Sequence, residues 1–319
     1  MQNGVFQTGN PRWSAVFSLF MGVMALIAAE FIPVSLLTPI ARDLAVSEGM
    51  AGQTVTAVGV LAVLTSLLLA PLTGNTDRRR ILLAFSAMLV ASYMLIGMAP
   101  TYSIMLIGRA ILGICVGGFW SLASAVTLQL VPTKDVPRAL SIVYAGVSVA
   151  TIIALPVASW IGHLIGWRNV FFLGALMAAF GFVWQYRALP SLPARAGSGF
   201  RDMSALLRRT WILAGIGGNI LSFGGYHIFF TYLQPFLELD LALGANTLSV
   251  ILLVFGVANV LGTFIAGALL GNHFRSTMIL VHLAFTAAAL ALLLLLVVLG
   301  IHVIELVLAH DTQHPLALG

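Results

Sequence analysis

The stretch LIGRAILGICVGGFW (Leu106–Trp120) places one arginine inside an apolar segment that extends from residue 102 to residue 131. This segment is longer than the ~20 residues that a helix needs to cross a bilayer. Gly113 and Gly117 have the G-x-x-x-G spacing that lets two membrane helices approach closely. A charged side chain in a span is costly, so we expect Arg109 to face a cavity or an opposite charge. The alternative is that Arg109 snorkels to the nearer interface.

The composition of the whole chain points to the same environment. Of its 319 residues, 60% are hydrophobic and 8% are charged, whereas a soluble domain has about 25% charged residues. We therefore expect a polytopic membrane protein whose surroundings are the lipid bilayer. The net charge of +5 does not indicate nucleic-acid binding, because the basic residues lie in short loops between apolar segments.

Apolar segments that are long enough to cross the bilayer recur along the sequence. The first is expected to be a retained membrane helix rather than a signal peptide, because it is too long and contains an acidic residue. The predicted spans cover residues 13–39, 51–73, 81–99, 102–131, 139–164, 168–189, 211–236, 247–271 and 277–300.

The basic residues predict the orientation of these spans. If the N-terminus is cytoplasmic, twelve of the 15 lysine and arginine residues lie on the cytoplasmic side, whereas Arg42 and Arg168 lie outside and Arg109 lies within a span. The positive-inside rule favours this arrangement. A connection rich in proline, glycine, serine and arginine follows the sixth span. The predicted domains are a six-helix bundle over residues 12–189, a cytoplasmic linker over 190–210 and a partial second bundle over 211–319.

An acidic residue interrupts the first span. Glu30 lies about 26 Å along the helix from Trp13, and Arg109 lies about 12 Å into its own span from the outer side, so the two have similar depths. Pro33 has no N–H group and is expected to leave the carbonyl of Ala29 unpaired. One hypothesis is that Glu30 is a proton carrier and that Arg109 tunes its proton affinity. The alternative is a structural Glu30–Arg109 pair without a role in turnover.

Two further stretches contain residues that form turns, pair charges or bend helices. GNTDRRR (Gly74–Arg80) combines a turn-forming glycine with Asp77, which can accept backbone N–H groups or pair with arginine. Its alternative interpretation is a basic loop that only sets topology. The fifth span has small residues in steps of four, including Gly146, and Pro156 lies beside this face, where it can bend the helix.

Aromatic and polar side chains provide candidate ligands for a small molecule. In the seventh span, helical spacing puts Asn219, Phe223 and Tyr226 on one face. Ring stacking combined with amide donors would suit a purine, although each of these residues could instead pack or anchor at an interface. His227 could alternatively titrate near neutral pH. The candidate substrate-binding residues are Trp120, Tyr144, Asn219, Phe223, Tyr226, His227 and Gln234.

Together these stretches resemble the major facilitator superfamily, and in particular its drug/proton antiporter branch. GNTDRRR is similar to the family's loop motif between helices two and three, IGRAILGICVGG to its fourth-helix motif, and the fifth span to its antiporter motif. EFIPVSLLTPIARDLAVSEGMAGQTVTA and GWRNVF resemble the antiporter branch more narrowly. The resemblance implies an all-α fold and conformational gating by Gly74, Asp77, Arg78, Gly113, Gly117, Gly146 and Pro156.

The family has twelve spans in two six-helix halves, and this sequence departs from that pattern. Its six-helix N-terminal half is expected to be complete, but only about nine or ten spans are predicted in all. The loop motif is also shortened. In the family its aspartate contacts the eleventh helix, so Asp77 is expected to lack that partner.

The resemblance implies proton-coupled efflux of small molecules, with purine ribonucleosides as the most specific suggestion, across a bacterial inner membrane. Sugars or drugs are alternative substrates, and a non-transporting membrane protein is the alternative from another class. The sequence has no cluster of metal ligands, no nucleophile–base arrangement and no phosphate-binding loop followed by lysine, so we expect neither a cofactor nor an enzyme.

Overall fold

The computed structural model describes residues 11–74, 76–193 and 208–235, together with shorter stretches between residues 251 and 294. Every regular element within these residues is helical, as expected for an all-α membrane protein. Six of the described helices are long and apolar enough to cross a membrane. The helices are α1 (Trp13–Ser35), α2 (Leu37–Asp43), α3 (Glu48–Thr73), α4 (Arg78–Gly97), α5 (Tyr102–Leu130), α6 (Val136–Ile165), α7 (Trp167–Ala188) and α8 (Thr210–Pro235).

The first predicted span is divided into two helices. We expected one helix over residues 13–39, but α1 ends at Ser35 and α2 begins at Leu37, so this prediction was wrong at its last turn. Pro39 gives the physical reason, because it has no N–H group and its ring would collide with the carbonyl of Ser35 in a continuous helix. Pro33 lies within α1 and leaves a second carbonyl without its helical donor.

The other predicted spans agree with the helices where the structure describes them. The span predicted over residues 211–236 corresponds to α8. The spans predicted over 247–271 and 277–300 lie partly outside the described residues, and the described parts of both are helical. Residue contacts divide the chain into two compact units, Met1–Ala268 and Leu269–Gly319. The boundary predicted at residues 190–210 remains a prediction.

Small residues position the helices that surround the bundle's core. In this bundle α1 packs mainly against α6, α3 against α5, and α4 between α5 and α7. A Cβ atom added to Gly146 would lie 2.7 Å from the carbonyl oxygen of Phe20, so α6 approaches the backbone of α1 directly. A side chain at this position would have to displace a helix backbone, which a packed bundle cannot do cheaply.

Helices α3 and α5 also approach each other closely enough for a glycine on one to lie against the backbone of the other, over two turns. A Cβ atom at Gly113 would lie 2.6 Å from the carbonyl oxygen of Val58, and one at Gly117 would overlap the carbonyl of Ala62. The partners advance in steps of four on both helices, so α3 and α5 run side by side in the same direction. The G-x-x-x-G spacing therefore coincides with a close contact between two parallel helices.

Hydrogen bonds between the helices and the segments that adjoin them mark the two ends of the bundle. At one end, which we call the basic end, the N–H of Arg12 donates to the carbonyl of Leu130 (3.0 Å) and that of Arg78 donates to the carbonyl of Leu192 (2.8 Å). At the opposite end, Arg168 donates to the carbonyl of Ala99 (2.9 Å). The six helices of the bundle alternate in direction between these ends.

We predict that Gly117→Ala destabilises the protein, because the new methyl group would overlap the backbone of α3 rather than a movable side chain. The expected loss is about 1–3 kcal/mol, as for other overpacked positions, measured as a lower thermal unfolding midpoint in detergent. Gly59→Ala is the matched control, because Gly59 is an exposed glycine of α3 with open space around its Cβ position. Equal midpoints for the two variants would contradict the prediction.

Candidate functional site

Arg109 is fully buried in the core of the bundle, with 0% of its surface exposed. Its guanidinium donates to three backbone carbonyls: Nε to Thr54 (3.1 Å), Nη1 to Ala29 (2.7 Å) and Nη2 to Glu30 (3.5 Å). The arginine therefore does not snorkel to an interface. It connects α5 to α1 and α3, and its charge is compensated by backbone dipoles within the bundle.

The carbonyl of Ala29 is not left unpaired, contrary to the sequence-based expectation. Pro33 cannot donate to it because proline has no N–H group. The guanidinium of Arg109 supplies the donor instead, at 2.7 Å. The proline on α1 and the arginine on α5 thus form a complementary pair, in which one residue frees an acceptor and the other occupies it.

The carboxylate of Glu30 lies beside this arginine without being bound to it. The side chain is half-buried, and Arg109 contacts the backbone carbonyl of Glu30 rather than its carboxylate. Among the described residues, that carboxylate forms no ion pair, yet it remains within electrostatic reach of Arg109. The side chains of Glu30 and Arg109 therefore do not form an ion pair in this conformation.

Two hydroxyl groups that the sequence analysis did not select hold α4 against the helices around this site. Tyr93 Oη donates to the carbonyl of Ala25 (2.8 Å), and Ser92 Oγ donates to the carbonyl of Gly108 (2.8 Å). Both residues are on α4, which they attach to α1 and α5 near Arg109. Their signal in the sequence was weak, because hydroxyl groups in membrane helices usually bond to their own helix.

Trp120 and Tyr144 come together on α5 and α6. Their rings are nearly parallel, with centroids 5.6 Å apart and an interplanar angle of 12°. The hydroxyl of Tyr144 is 2.8 Å from Ser124 Oγ. Trp120 is eleven residues from Arg109 on the same helix, a rise of about 16 Å. The aromatic pair therefore lies towards the basic end, well separated from the arginine.

The remaining candidate ligands lie on α8. Asn219 and Phe223 are exposed on α8. The side chains of Tyr226, His227 and Gln234 lie outside the described residues, as does the side chain of Pro156. The proposed roles of all these residues remain predictions.

Asp77 has partners that the sequence did not indicate. It caps α4 by accepting the N–H of Arg79 at Oδ1 (2.8 Å), and the same oxygen accepts the N–H of Leu192 (3.0 Å). Its Oδ2 accepts the hydroxyl of Ser191 (2.5 Å). Burial raises the pKa of Asp77, but these hydrogen bonds outweigh it and leave the pKa below its usual value. The aspartate thus fastens the segment that follows α7 to the basic end.

An ionic cluster at the opposite end was also missed. Arg168 donates to Asp43 Oδ2, which also accepts the indole N–H of Trp167 (3.1 Å). The hydrogen bond from Arg168, more than any other contact, holds the pKa of Asp43 below its usual value. The available signal was charge complementarity, because Asp43 lies in a predicted loop and Arg168 at the start of a predicted span, on the same side of the membrane.

The sequence of this chain matches the family model of the Major Facilitator Superfamily over residues 16–309. The chain belongs to the major facilitator superfamily. It is 40% identical over 284 residues to the purine ribonucleoside efflux pumps of Escherichia coli K12 and Shigella flexneri, with 89% of this chain and 72% of each relative covered. The pump of Salmonella enteritidis PT4 is 39% identical over 283 residues, covering 89% and 71% respectively. The chain is thus a multi-pass membrane protein of a transporter family.

Solved structures support the same fold. A proton:xylose symporter bound to 6-bromo-6-deoxy-D-glucose superimposes with a TM-score of 0.61 at 14% identity, covering 82% of this chain and 70% of the symporter. The human organic anion transporter MFSD10 gives 0.58 at 17% identity, covering 84% and 73%. At these identities the likeness concerns the fold alone.

Possible metal ligands are not grouped together in the part of the chain that the structure describes. No group of three or more His, Cys, Asp or Glu side chains there is arranged to hold a metal ion. Cys115 is buried on α5 and packs as a small apolar residue.

We predict that Arg109→Lys lowers the stability of the bundle, although the charge is retained. A lysine ammonium is a compact point charge and cannot contact Thr54 on α3 and Ala29 on α1 with a fixed fork. Each lost hydrogen bond to a charged group is worth roughly 1.5–3 kcal/mol. The measurement is the thermal unfolding midpoint, with the exposed Arg42→Lys as control. A midpoint equal to that of the control variant would refute the anchoring role.

We predict that Asp77→Ala speeds hydrogen exchange at the N–H of Leu192 by about tenfold, because a charge-assisted acceptor is lost. Thr76→Ala, at an exposed neighbouring residue, should leave the exchange unchanged. The lowered pKa means that the carboxylate is ionised and protection is full near neutral pH; protection falls only as the pH drops through that lowered value. Asp77→Asn should remove this pH dependence, and unchanged exchange in Asp77→Ala would contradict the assignment.

Proposed function

We propose that this protein is a proton-coupled antiporter that exports purine ribonucleosides or closely related molecules across a bacterial inner membrane. The observation that supports this most directly is the 40% identity, over 89% of the chain, to pumps named for purine ribonucleoside efflux. We further propose that the basic end is cytoplasmic, because the arginine and lysine residues accumulate there.

Glu30 is the proton carrier in this proposal, and Arg109 is the charge that tunes it. The carboxylate is half-buried, lies next to a fixed positive charge, and is not held in an ion pair. Movement of α1 relative to α5 would change the distance between the two charges, and with it the proton affinity of the carboxylate. Binding of a proton and binding of substrate would then bias the same conformational equilibrium in opposite directions.

Trp120 and Tyr144 form the part of the proposed substrate site that lies within the described bundle. Parallel aromatic rings provide a surface on which a purine base can stack. Because the rings lie about 16 Å from Arg109 along α5, substrate would not touch the proton site. Coupling would therefore act through movement of the helices. Asn219, Phe223, Tyr226, His227 and Gln234 on α8 are proposed to complete the site from the second half.

The gating residues fall into two groups in this proposal. Gly113, Gly117 and Gly146 let α5 and α6 lie against the backbones of α3 and α1, so these helices would move as packed pairs. Gly74, Asp77 and Arg78 would control the basic end, where Asp77 binds the segment after α7. Pro156 is proposed to provide a bend in α6.

The test of proton coupling is the Glu30→Gln variant in membrane vesicles. With a proton gradient imposed, we expect wild-type vesicles to accumulate labelled adenosine against its gradient, and we expect Glu30→Gln to lose this accumulation because the amide cannot take up a proton. Glu30→Asp is the control, since it keeps a titratable carboxylate at the same position. Adenosine binding to purified protein should be retained in both variants.

Three outcomes would overturn parts of this proposal. Unchanged, pH-dependent accumulation by Glu30→Gln would exclude Glu30 as the carrier. Wild-type accumulation of a sugar or a drug, but not of adenosine, would support the same mechanism with a different substrate. Folded wild-type protein that moves neither protons nor substrate would support a non-transporting role.

A further inference from the structure

The hydroxyl of Ser124 is bonded to a neighbouring helix, unlike those of two nearby serines on α5 and α6. Ser121, one turn away on α5, donates to the carbonyl of Gly117 in its own helix (2.7 Å), and Ser141 on α6 does the same with Pro137 (2.9 Å). Such bonds satisfy a hydroxyl group locally. Ser124 Oγ instead lies 2.8 Å from the hydroxyl of Tyr144 on the neighbouring helix.

This bond joins two helices that otherwise touch little. Helix α5 packs mainly against α3 and α4, and α6 mainly against α1, so α5 and α6 share only a small contact. The Tyr144 side chain spans the gap between them and is 37% exposed. A packing role would bury this ring, whereas its exposure leaves a surface on which a ligand can lie.

The geometry fixes the tyrosine ring at two points. Ser124 and Trp120 are four residues apart, so they occupy one face of α5 in successive turns. The serine holds the hydroxyl of Tyr144, and the indole of Trp120 lies parallel to the tyrosine ring at 5.6 Å. Without the hydroxyl bond, the ring would be free to rotate about its Cα–Cβ bond.

The pair also retains hydrogen-bonding capacity. Two hydroxyl groups have two protons, and the bond between Ser124 and Tyr144 uses only one of them. The other proton and the remaining lone pairs can bind a ring nitrogen, a carbonyl or a sugar hydroxyl. A flat apolar surface next to such a donor suits a heteroaromatic base, and a fused two-ring base covers more of it than a single ring.

We propose that Ser124 is a positioning residue that holds Tyr144 parallel to Trp120, and that the resulting surface selects ligands with a fused-ring base over ligands with a single-ring base. This inference rests on the proposed function, because it assigns the basis of substrate choice in that same site. It adds a residue that neither the motifs nor the comparisons indicate.

The experiment measures binding of adenosine and of uridine to the full chain in lipid nanodiscs. We expect the wild type to bind adenosine more tightly. Ser124→Ala and Tyr144→Phe each remove the same hydrogen bond, and each should raise the Kd for adenosine by about fivefold while changing that for uridine little. The effect of the double variant on the adenosine Kd should be smaller than the sum of the two single effects, because the bond between the two hydroxyl groups can be lost only once. In transport, KM for adenosine should rise while kcat is unchanged.

Matched variants separate this role from a structural one. Ser121→Ala removes a hydroxyl bonded only within α5 and should bind both nucleosides as the wild type does. Ser124→Thr keeps the hydroxyl group and should restore adenosine binding. Tyr144→Phe keeps the test valid even if Ser124→Ala does not fold.

The outcomes distinguish the inference from the function on which it rests. If the wild type binds adenosine but Ser124→Ala and Tyr144→Phe bind it equally well, the positioning role is wrong and the proposed function stands. Additive effects in the double variant, or equal losses for adenosine and uridine, would also overturn the positioning role. If wild-type protein binds neither nucleoside, the proposed function itself fails together with this inference.

Discussion

The bundle depends on the burial of one guanidinium. A fully buried arginine must direct its N–H groups to acceptors, because an unpaired charge in the core costs more than most single contacts provide. Arg109 satisfies this requirement with backbone carbonyls of Thr54, Ala29 and Glu30. Since helix carbonyls normally accept from their own helix, the proline at position 33 is what makes the carbonyl of Ala29 fully available.

The same contact sets the register of α3 against α5. Arg109 contacts Thr54, Gly113 lies against Val58, and Gly117 lies against Ala62, so each step of four on α5 matches a step of four on α3. The glycines allow the approach that brings the carbonyl of Thr54 within reach of the guanidinium. A larger residue at either glycine would separate the helices and weaken the arginine contact. The close packing of the glycines and the burial of Arg109 therefore depend on each other.

The sequence predicted the helices better than it predicted their contacts. Hydropathy identified the six spans of the bundle, because crossing the bilayer requires long apolar segments. The break at Leu36 was missed, although Pro39 contained the signal. The acceptors of Arg109 could not be predicted, because every helical residue has a carbonyl. Hydropathy does not specify how each helix is rotated about its axis, so it does not indicate which carbonyls face Arg109. The partners of Asp77 lie in a non-periodic segment after α7, where pattern analysis has no basis.

The distance between the proposed proton site and the proposed substrate site constrains the mechanism. Glu30 and Arg109 lie towards one end of α5, and Trp120 lies about 16 Å away along the same helix. In the proposed function, a proton at Glu30 and a substrate at Trp120 would therefore not compete directly for one position. Helix α5 is, however, common to both places, and its glycines fix it to α3 over several turns. A displacement of this helix pair at Arg109 would therefore also move Trp120, which is the physical condition for two ligands to bias one conformational equilibrium.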